Sequence, residues 1–432
     1  MSYLLSRRLV IVVRADPVIC GHSGEARNLA EVALTRGFTD VRLLTWPVPV
    51  LKAVGLPLKP LDRILPYSKG ITVERPEPVG DYRVPDGRYL AGLTGRLVEL
   101  LIEPIPTVCL SMYLAPHDAV IRDAVDAVRA AGFAPDVRTM AKAVGSDVTN
   151  VIRSCLRERR FGAAVALFAR FLANDQVIAV SDYTRREIIA AAGAVDTHCG
   201  TRFAEQCRRR VSVSYPPIDT AAYLHLDPEL VDTALRRRGL HRDGYVLFLS
   251  RVARAKGVYD LVSAFARCRA RSRLRLVIAG TGPDLEQVRA VARDDDRIVL
   301  LTDVDDEEKP LLMNGCAAYV LPTRPEPDFV ETFGIALTEK MLAGGGPVIT
   351  TDTGGVLEAV GDTAILVQPG DVASIAEAID AATLHLSPEN RCAMATRARD
   401  HALTFDRARV FDSLFPPPPD PATHSGLAAT AT

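Results

Sequence analysis

Two cations, Arg251 and Lys256, stand five positions apart in SRVARAKG, directly after the apolar run 245–249. Arginine offers a planar fork of donors and lysine a mobile point charge, so the two together at the end of a buried strand suit a diphosphate. A solvated loop is the plain alternative. Downstream, ETFGIALTEKMLAGG carries Glu331 and Glu339 with seven residues between them. A helix beginning near Phe333 leaves Glu331 in the preceding loop and Glu339 in the second turn. Glu331 then points into a sugar site, Glu339 lies deeper, near a ribose, and the free amides of the helix start at Gly334 can receive phosphate.

Three weaker signals sit nearby. GHSGE at 21–25 and AGTGP at 279–283 place Gly24 and Gly282 after strand-like runs, where a backbone can approach an anion closely. His117, in YLAPHDAV, follows the run 106–110. A neutral imidazole there orients a donor hydroxyl or steadies developing charge, and a loop histidine without a ligand is the alternative. Ser146, Asp147, Thr149 and Asn150 are candidate acceptor contacts, or simply a polar helix start.

The exclusions are as informative. No GxGxxG or Walker A sequence occurs, which removes the fingerprints of dinucleotide oxidoreductases and P-loop ATPases. The eight cysteines include no CxxC pair, so reduced thiols are expected rather than a metal cluster or disulfide framework. The run Asp294, Asp295, Asp296 falls between a helix and a strand and reads as a surface turn, leaving no metal site. With 52 Lys+Arg against 53 Asp+Glu, the 432 residues have no basic excess for nucleic acid. No window approaches the roughly 20 apolar residues that cross a bilayer, and no signal peptide is expected. A cytoplasmic protein acting on small molecules follows. Oligomeric state has no readable signal.

Positioning these residues requires an α/β framework. The continuously apolar run 8–13 reads as a strand buried on both faces, followed by a helix over 23–33 and a strand at 41–44. Proline-rich 48–90 is expected to be irregular. A helix at 89–102, a strand at 106–110 and a helix at 118–131 continue the pattern, then a helix at 162–172, a strand at 176–180, a helix capped by Ser181, and a strand at 211–214. YPPID, with two prolines, marks an exit. A second strand–helix series starts at 245 and runs to about 410. The expected division is an acceptor-side Rossmann-like domain at 1–216, a linker at 217–234, a donor-binding Rossmann-like domain at 235–410, and a proline-rich disordered tail at 411–432. Ligands belong in the cleft between the domains.

In GHSGE, VSDYTRREI, SRVARAKG, IAGTGP and above all FVETFGIALTEKMLAGGGPVITTDTGG, the chain resembles the retaining nucleotide-sugar glycosyltransferases of family 4. This large family includes sucrose and trehalose phosphate synthases. The resemblance runs to about residue 410 and implies a GT-B fold, two facing Rossmann-like domains. It implies a diphosphate clamp at Arg251 and Lys256, a donor-sugar carboxylate at Glu331, a ribose-binding Glu339, and Gly24, Gly282, Phe333 and Gly334 around the nucleotide. His117 stands near the family's active-site histidine, in a loop that departs from its short HxH form. No cofactor or metal is implied, only a nucleoside-diphosphate sugar, with a GDP-sugar ahead of a UDP-sugar, and a small-molecule acceptor. GHSGEARNLAEVALTRGF, AVGSDVTNV and FLANDQVIAVSDYTRR are similar to an antibiotic-pathway branch, including S-glycosyltransferases that join a GDP-linked octose to ergothioneine. A nucleotide-sugar epimerase and a noncatalytic sugar-nucleotide-binding protein are the competing readings.

Overall fold

A computed structural model describes residues 6–80, 85–293, 295–327 and 329–416. Two parallel sheets form the frame. The first contains β1 (Arg8–Val12), β2 (Asp40–Leu44), β3 (Ile71–Glu74), β4 (Thr107–Met112), β5 (Val137–Ala143), β6 (Gln176–Ala179) and β7 (Val211–Val213), in the order β3-β2-β1-β4-β5-β6-β7. The second contains β8 (Tyr245–Leu249), β9 (Arg275–Ala279), β10 (Ile298–Leu301), β11 (Ala318–Leu321), β12 (Val348–Thr351) and β13 (Ile365–Val367), in the order β10-β9-β8-β11-β12-β13. Every residue of β1 is buried, which explains its unbroken apolar run: helices cover both faces of a parallel sheet. Each sheet reverses its winding once, between β1 and β4 and between β8 and β11, and at such a point the strand ends leave a crevice. The α/β class and the two facing Rossmann-like domains are as expected.

Boundaries differ in three places. The 48–90 stretch is not wholly irregular: a helix at Val48–Ala53 and the edge strand β3 occupy it, with Ile71 paired to Val41, and the next helix starts at Pro85. An edge strand whose side chains are only partly covered lacks the continuous apolar run that marks β1. The expected linker 217–234 contains most of the helix Pro228–Arg237, whose Val231, Ala234 and Leu235 join the second domain's core. Finally, the expected tail begins inside the helix Arg407–Leu414, which returns to the first domain. Phe411 and Leu414 are buried in that domain's core, the ring centroids of Phe411 and Phe415 lie 6.1 and 5.9 Å from that of Phe38, and Arg36 holds Asp412 at 2.6 Å. The apolar face formed by Phe411, Leu414 and Phe415 outweighs the proline-rich sequence that follows. The rest of the expected tail, 417–432, lies outside the described residues.

The domains also meet across the cleft. Glu358 accepts hydrogen bonds from the amides of Asp182 and Tyr183 at 2.7 and 2.8 Å, satisfying the start of the Asp182–Cys199 helix together with its cap, Ser181. Lys59 reaches Asp306 at 2.7 Å. A Cβ on Gly145, whose φ is 108°, would stand 2.3 Å from Thr332, so glycine is required where the two domains touch.

Candidate active site

The residues expected to bind the donor stand at the carboxyl end of β8. The chain leaves the strand through Ser250 and Arg251, makes a 3-10 turn at Arg254–Lys256, and enters the helix Val258–Phe265 through Gly257 at φ 73°. A Cβ on Gly257 would sit 1.9 Å from the carbonyl oxygen of Pro322, so only glycine permits this turn, and the turn aims Lys256 at the cleft. There Lys256 meets Glu331, brought from 75 positions away, in an ion pair whose side chains are 13% and 10% exposed. Phe329 collects both cations: Lys256 Nζ is 5.0 Å and Arg251 Cζ 5.5 Å from its ring centroid. Arg251 is exposed and makes no ion pair among the described residues.

The helix expected near Phe333 runs over Ile335–Ala343, with Gly334 at its N-cap and φ 108°. Glu331 is therefore in the loop and Glu339 in the second turn, as expected. Lys309 holds Glu339 at 2.7 Å. Burial alone would lower the Lys309 ammonium, but Glu339 and the Tyr223 hydroxyl outweigh it and keep the lysine well above its ordinary value. Phe333 is 2% exposed, packed edge-on to Phe405 at 4.9 Å and tilted against Tyr215 at 5.5 Å, so its ring belongs to the core and only its backbone is left for a ligand. Gly282 lets the β9 exit pass the β8 exit: a Cβ there would lie 2.2 Å from the carbonyl oxygen of Val252.

Opposite lies the start of the helix Gly21–Thr35. Its N-cap, Cys20, supplies no side-chain cap, and a Cβ on Gly21 would come 3.1 Å from Ile335 across the cleft. Gly24 is in the first turn, exposed, with open space where a Cβ would go, so no packing demands glycine there. His117 begins the helix His117–Ala130 and is 2% exposed. Its Nδ1 stands 2.7 Å from the Met112 carbonyl, and its Nε2 is 3.1 Å from Trp46 Nε1, an obligate donor. The proton is thus on Nδ1, and both ring nitrogens have protein partners. Burial pushes His117 down to about 4, so it is neutral at pH 7. His22 is pushed down to about 3, by burial first and then by Arg14.

His22, Arg14, Trp46 and Tyr113 were not singled out from sequence. Arg14 and His22 follow β1, Trp46 follows β2 and Tyr113 follows β4, and only their convergence on the β1/β4 crevice marks them. The one local signal is Tyr113, a non-glycine residue at φ 95°. Asp147 is buried and accepts from the amides of Leu114, Val144, Gly145 and Val148 at 3.0–3.3 Å, which makes it a backbone clamp. Burial raises it to about 6. Thr149 bonds back to the Gly145 carbonyl at 3.1 Å. Asp295 binds Arg271 at 2.6 Å, and its neighbour Asp294 lies outside the described residues. No group of three metal-ligating side chains is present among the described residues. A polar cavity of about 310 Å³ lined by Gly239, Gly244, Arg275 and Arg297 lies at the amino ends of the second sheet's strands, away from this chemistry.

Comparison with known proteins places these observations. Residues 243–383 match the family described as Glycosyl transferases group 1. N-acetyl-alpha-D-glucosaminyl L-malate synthase of Bacillus anthracis is 29% identical over 160 residues, 36% of this chain and 39% of that protein. O-antigen chain mannosyltransferase B of Escherichia coli is 27% identical over 206 residues, 46% of this chain and 49% of that protein. The chain's matches therefore span less than half of either curated relative. Among solved structures, Anabaena HepE in complex with UDP and glucose aligns with TM-score 0.66 at 20% identity, over 95% of this chain and 98% of that one. Sucrose-phosphate synthase from Thermosynechococcus elongatus aligns with TM-score 0.65 at 17% identity, over 95% and 97%. Residues 243–383 of the second domain are accordingly similar to the group 1 glycosyl transferases, and the chain as a whole has the two-domain GT-B fold.

Proposed function

We propose that the protein is a retaining glycosyltransferase that moves a sugar from a nucleoside diphosphate to a small-molecule acceptor. The observation that carries this reading is the meeting of Lys256, Arg251 and Glu331 at the carboxyl end of β8, inside the stretch that matches the group 1 family. In the reaction, the bond from the anomeric carbon to the diphosphate oxygen breaks as the acceptor bonds to that carbon on the same face. The departing oxygen takes the acceptor's proton, so no carboxylate nucleophile is needed. Charge grows on the diphosphate, where Arg251, Lys256 and the amino end of the Ile335–Ala343 helix stabilise it. Glu331 orients the donor sugar, Glu339 the ribose, and His117 supports the acceptor wall through Trp46.

The finer reading is a cytoplasmic enzyme of bacterial secondary metabolism that joins a GDP-linked octose to the sulfur of ergothioneine. The antibiotic-pathway resemblance supports it. The UDP bound by HepE and the malate named for the Bacillus relative make UDP-sugars and hydroxy acids the comparisons to run beside it. Calorimetry with GDP, UDP, ADP, dTDP and CDP, without metal, tests the donor class. Selective binding of one nucleotide fixes it, and binding of none by folded protein refutes the proposal.

A further inference from the structure

The crevice at the β1/β4 reversal holds a cation with no assigned task. Arg14, two residues beyond β1, is half-buried, and its guanidinium carbon lies 5.2 Å from the ring centroid of Tyr113. Among the described residues it makes no ion pair. The neighbouring carboxylates are all engaged elsewhere. Asp16 binds Arg27 at 2.9 Å and Tyr67 at 3.0 Å, Asp147 holds its four backbone amides, and Glu25 is paired with Lys142. Around Arg14 stand His22 and Tyr113, with ring centroids 6.0 Å apart, and Tyr113 is 6.4 Å from His117, which Trp46 holds. Both imidazoles are neutral, and of the two guanidiniums at this wall Arg75 is taken up by the carbonyls of Trp46 and Asp16, which leaves Arg14 as the charge without a hydrogen-bonding partner among the described residues. His22 lies within electrostatic reach of both Arg14 and Arg251, and its neighbour Gly21 abuts Ile335 of the second domain, so the wall borders the donor clamp.

Resting on the glycosyltransferase reading, we propose that the acceptor is held here by a carboxylate and that Arg14 is the residue that selects it. A guanidinium left without a counter-charge in a half-buried crevice is a costly arrangement, relieved when a ligand brings the missing charge. The planar fork matches a carboxylate through two parallel hydrogen bonds. One guanidinium beside two neutral imidazoles balances one negative charge, whereas a phosphate would bring a second with no partner. Trp46, Tyr113 and His22 supply an aromatic wall for the body of the acceptor, so the class is a small, flat or apolar carboxylic acid whose nucleophile extends toward Arg251.

Trp46 is the chain's one tryptophan, and its indole is bonded to His117 in this crevice, so its emission reports occupancy independently of turnover. The full-length protein is titrated with ergothioneine and with benzoate, each against its carboxamide, and with inorganic phosphate. The acids are expected to saturate the signal at concentrations at least about tenfold below those of the amides, the weight of one charge-assisted pair. Arg14→Ala should erase that preference, Arg14→Lys should restore part of it, and both should bind the nucleotide as the parent does. Equal affinity for acid and amide, or an acid preference that survives Arg14→Ala, would overturn the proposal. Saturation by phosphate without a response to either acid would replace carboxylate by phosphate and overturn it too. Should no nucleotide bind while the acid preference depends on Arg14, the donor reading fails and the carboxylate site stands.

Discussion

Lys256 is the point at which the donor reading can be tested most sharply. Its ammonium is held by Glu331 with both side chains about nine-tenths buried, so a diphosphate must compete with that carboxylate for the same charge. Removing the ammonium in Lys256→Ala deletes a charge-assisted bond to the diphosphate, worth about 1.5–3 kcal/mol, and weakens nucleotide binding by roughly 10- to 150-fold. Removing the competitor has the opposite sign. Glu331→Gln should leave nucleotide affinity equal or higher while sugar transfer falls on the order of 100-fold, because the donor sugar loses its orienting charge. The double variant should bind nucleotide no better than Lys256→Ala alone, since the effect of Glu331 acts through Lys256. Calorimetry with the selected nucleoside diphosphate reads affinity, and a coupled assay for released nucleotide reads transfer. Nucleotide affinity within twofold of the parent in a folded Lys256→Ala variant would refute the clamp. A weaker nucleotide complex in Glu331→Gln would refute the competition.

Glu339→Gln should weaken binding of free nucleotide and intact donor alike, measured by the same calorimetry, because its place beside Lys309 and Tyr223 suits the ribose end. Gly145→Ala should lower transfer while nucleotide affinity stays within threefold, since its Cβ has no room beside Thr332 and holds the domains apart. Asp118 is buried and raised to about 7 from an ordinary 3.8, with desolvation the main cause. The folded protein therefore binds this proton more tightly than the unfolded chain, and stability should fall as pH rises from about 4 through 7. Asp118→Asn should remove about 2.5 kcal/mol of that dependence between urea melts at pH 5 and pH 8, and parallel pH profiles for variant and parent would contradict it. Lys142→Met strands the buried Glu25 carboxylate and should cost about 3–5 kcal/mol by urea unfolding, while the double change with Glu25→Leu should recover most of it.

What could be read from the residues follows from how each feature is written in the chain. β1 and β8 announce themselves because burial on both faces demands an unbroken apolar run; Arg251 and Lys256 follow β8 directly, and Glu331 stands in the separate contiguous motif FVETFG. β3 is a four-residue edge strand with half-exposed side chains, so its pairing to β2 depends on tertiary contact. The Arg407–Leu414 helix and its C-cap are anchored by Phe411 and Phe415, whose partner, Phe38, lies more than 370 positions earlier. The acceptor wall was illegible for the same reason. Arg14, His22, Trp46 and Tyr113 are ordinary residues in the segments that follow three different strands, and only the order β2-β1-β4 makes them neighbours. His117 was visible as a histidine after a strand, but its two protein hydrogen bonds depend on Trp46, 71 positions away.

The return of the last helix to the first domain means that the polypeptide passes between the domains twice, and the two passages are stitched together. The Ile218 amide donates to the Phe405 carbonyl at 2.9 Å, and the Arg407 amide donates to the Ile218 carbonyl at 2.9 Å. A single cord would let the domains swivel in any direction, like a ball joint. Two cords bonded side by side make a flat strap, which folds readily across its width and resists twisting along its length. The cleft should therefore open like a book and not by sliding or rotation, so each closure returns Gly145 to Thr332 and the Gly21–Thr35 helix start to Ile335 in the same register. The proposed acceptor wall and donor clamp, on separate domains, would need that repeatability, since their alignment would be re-created at every closure.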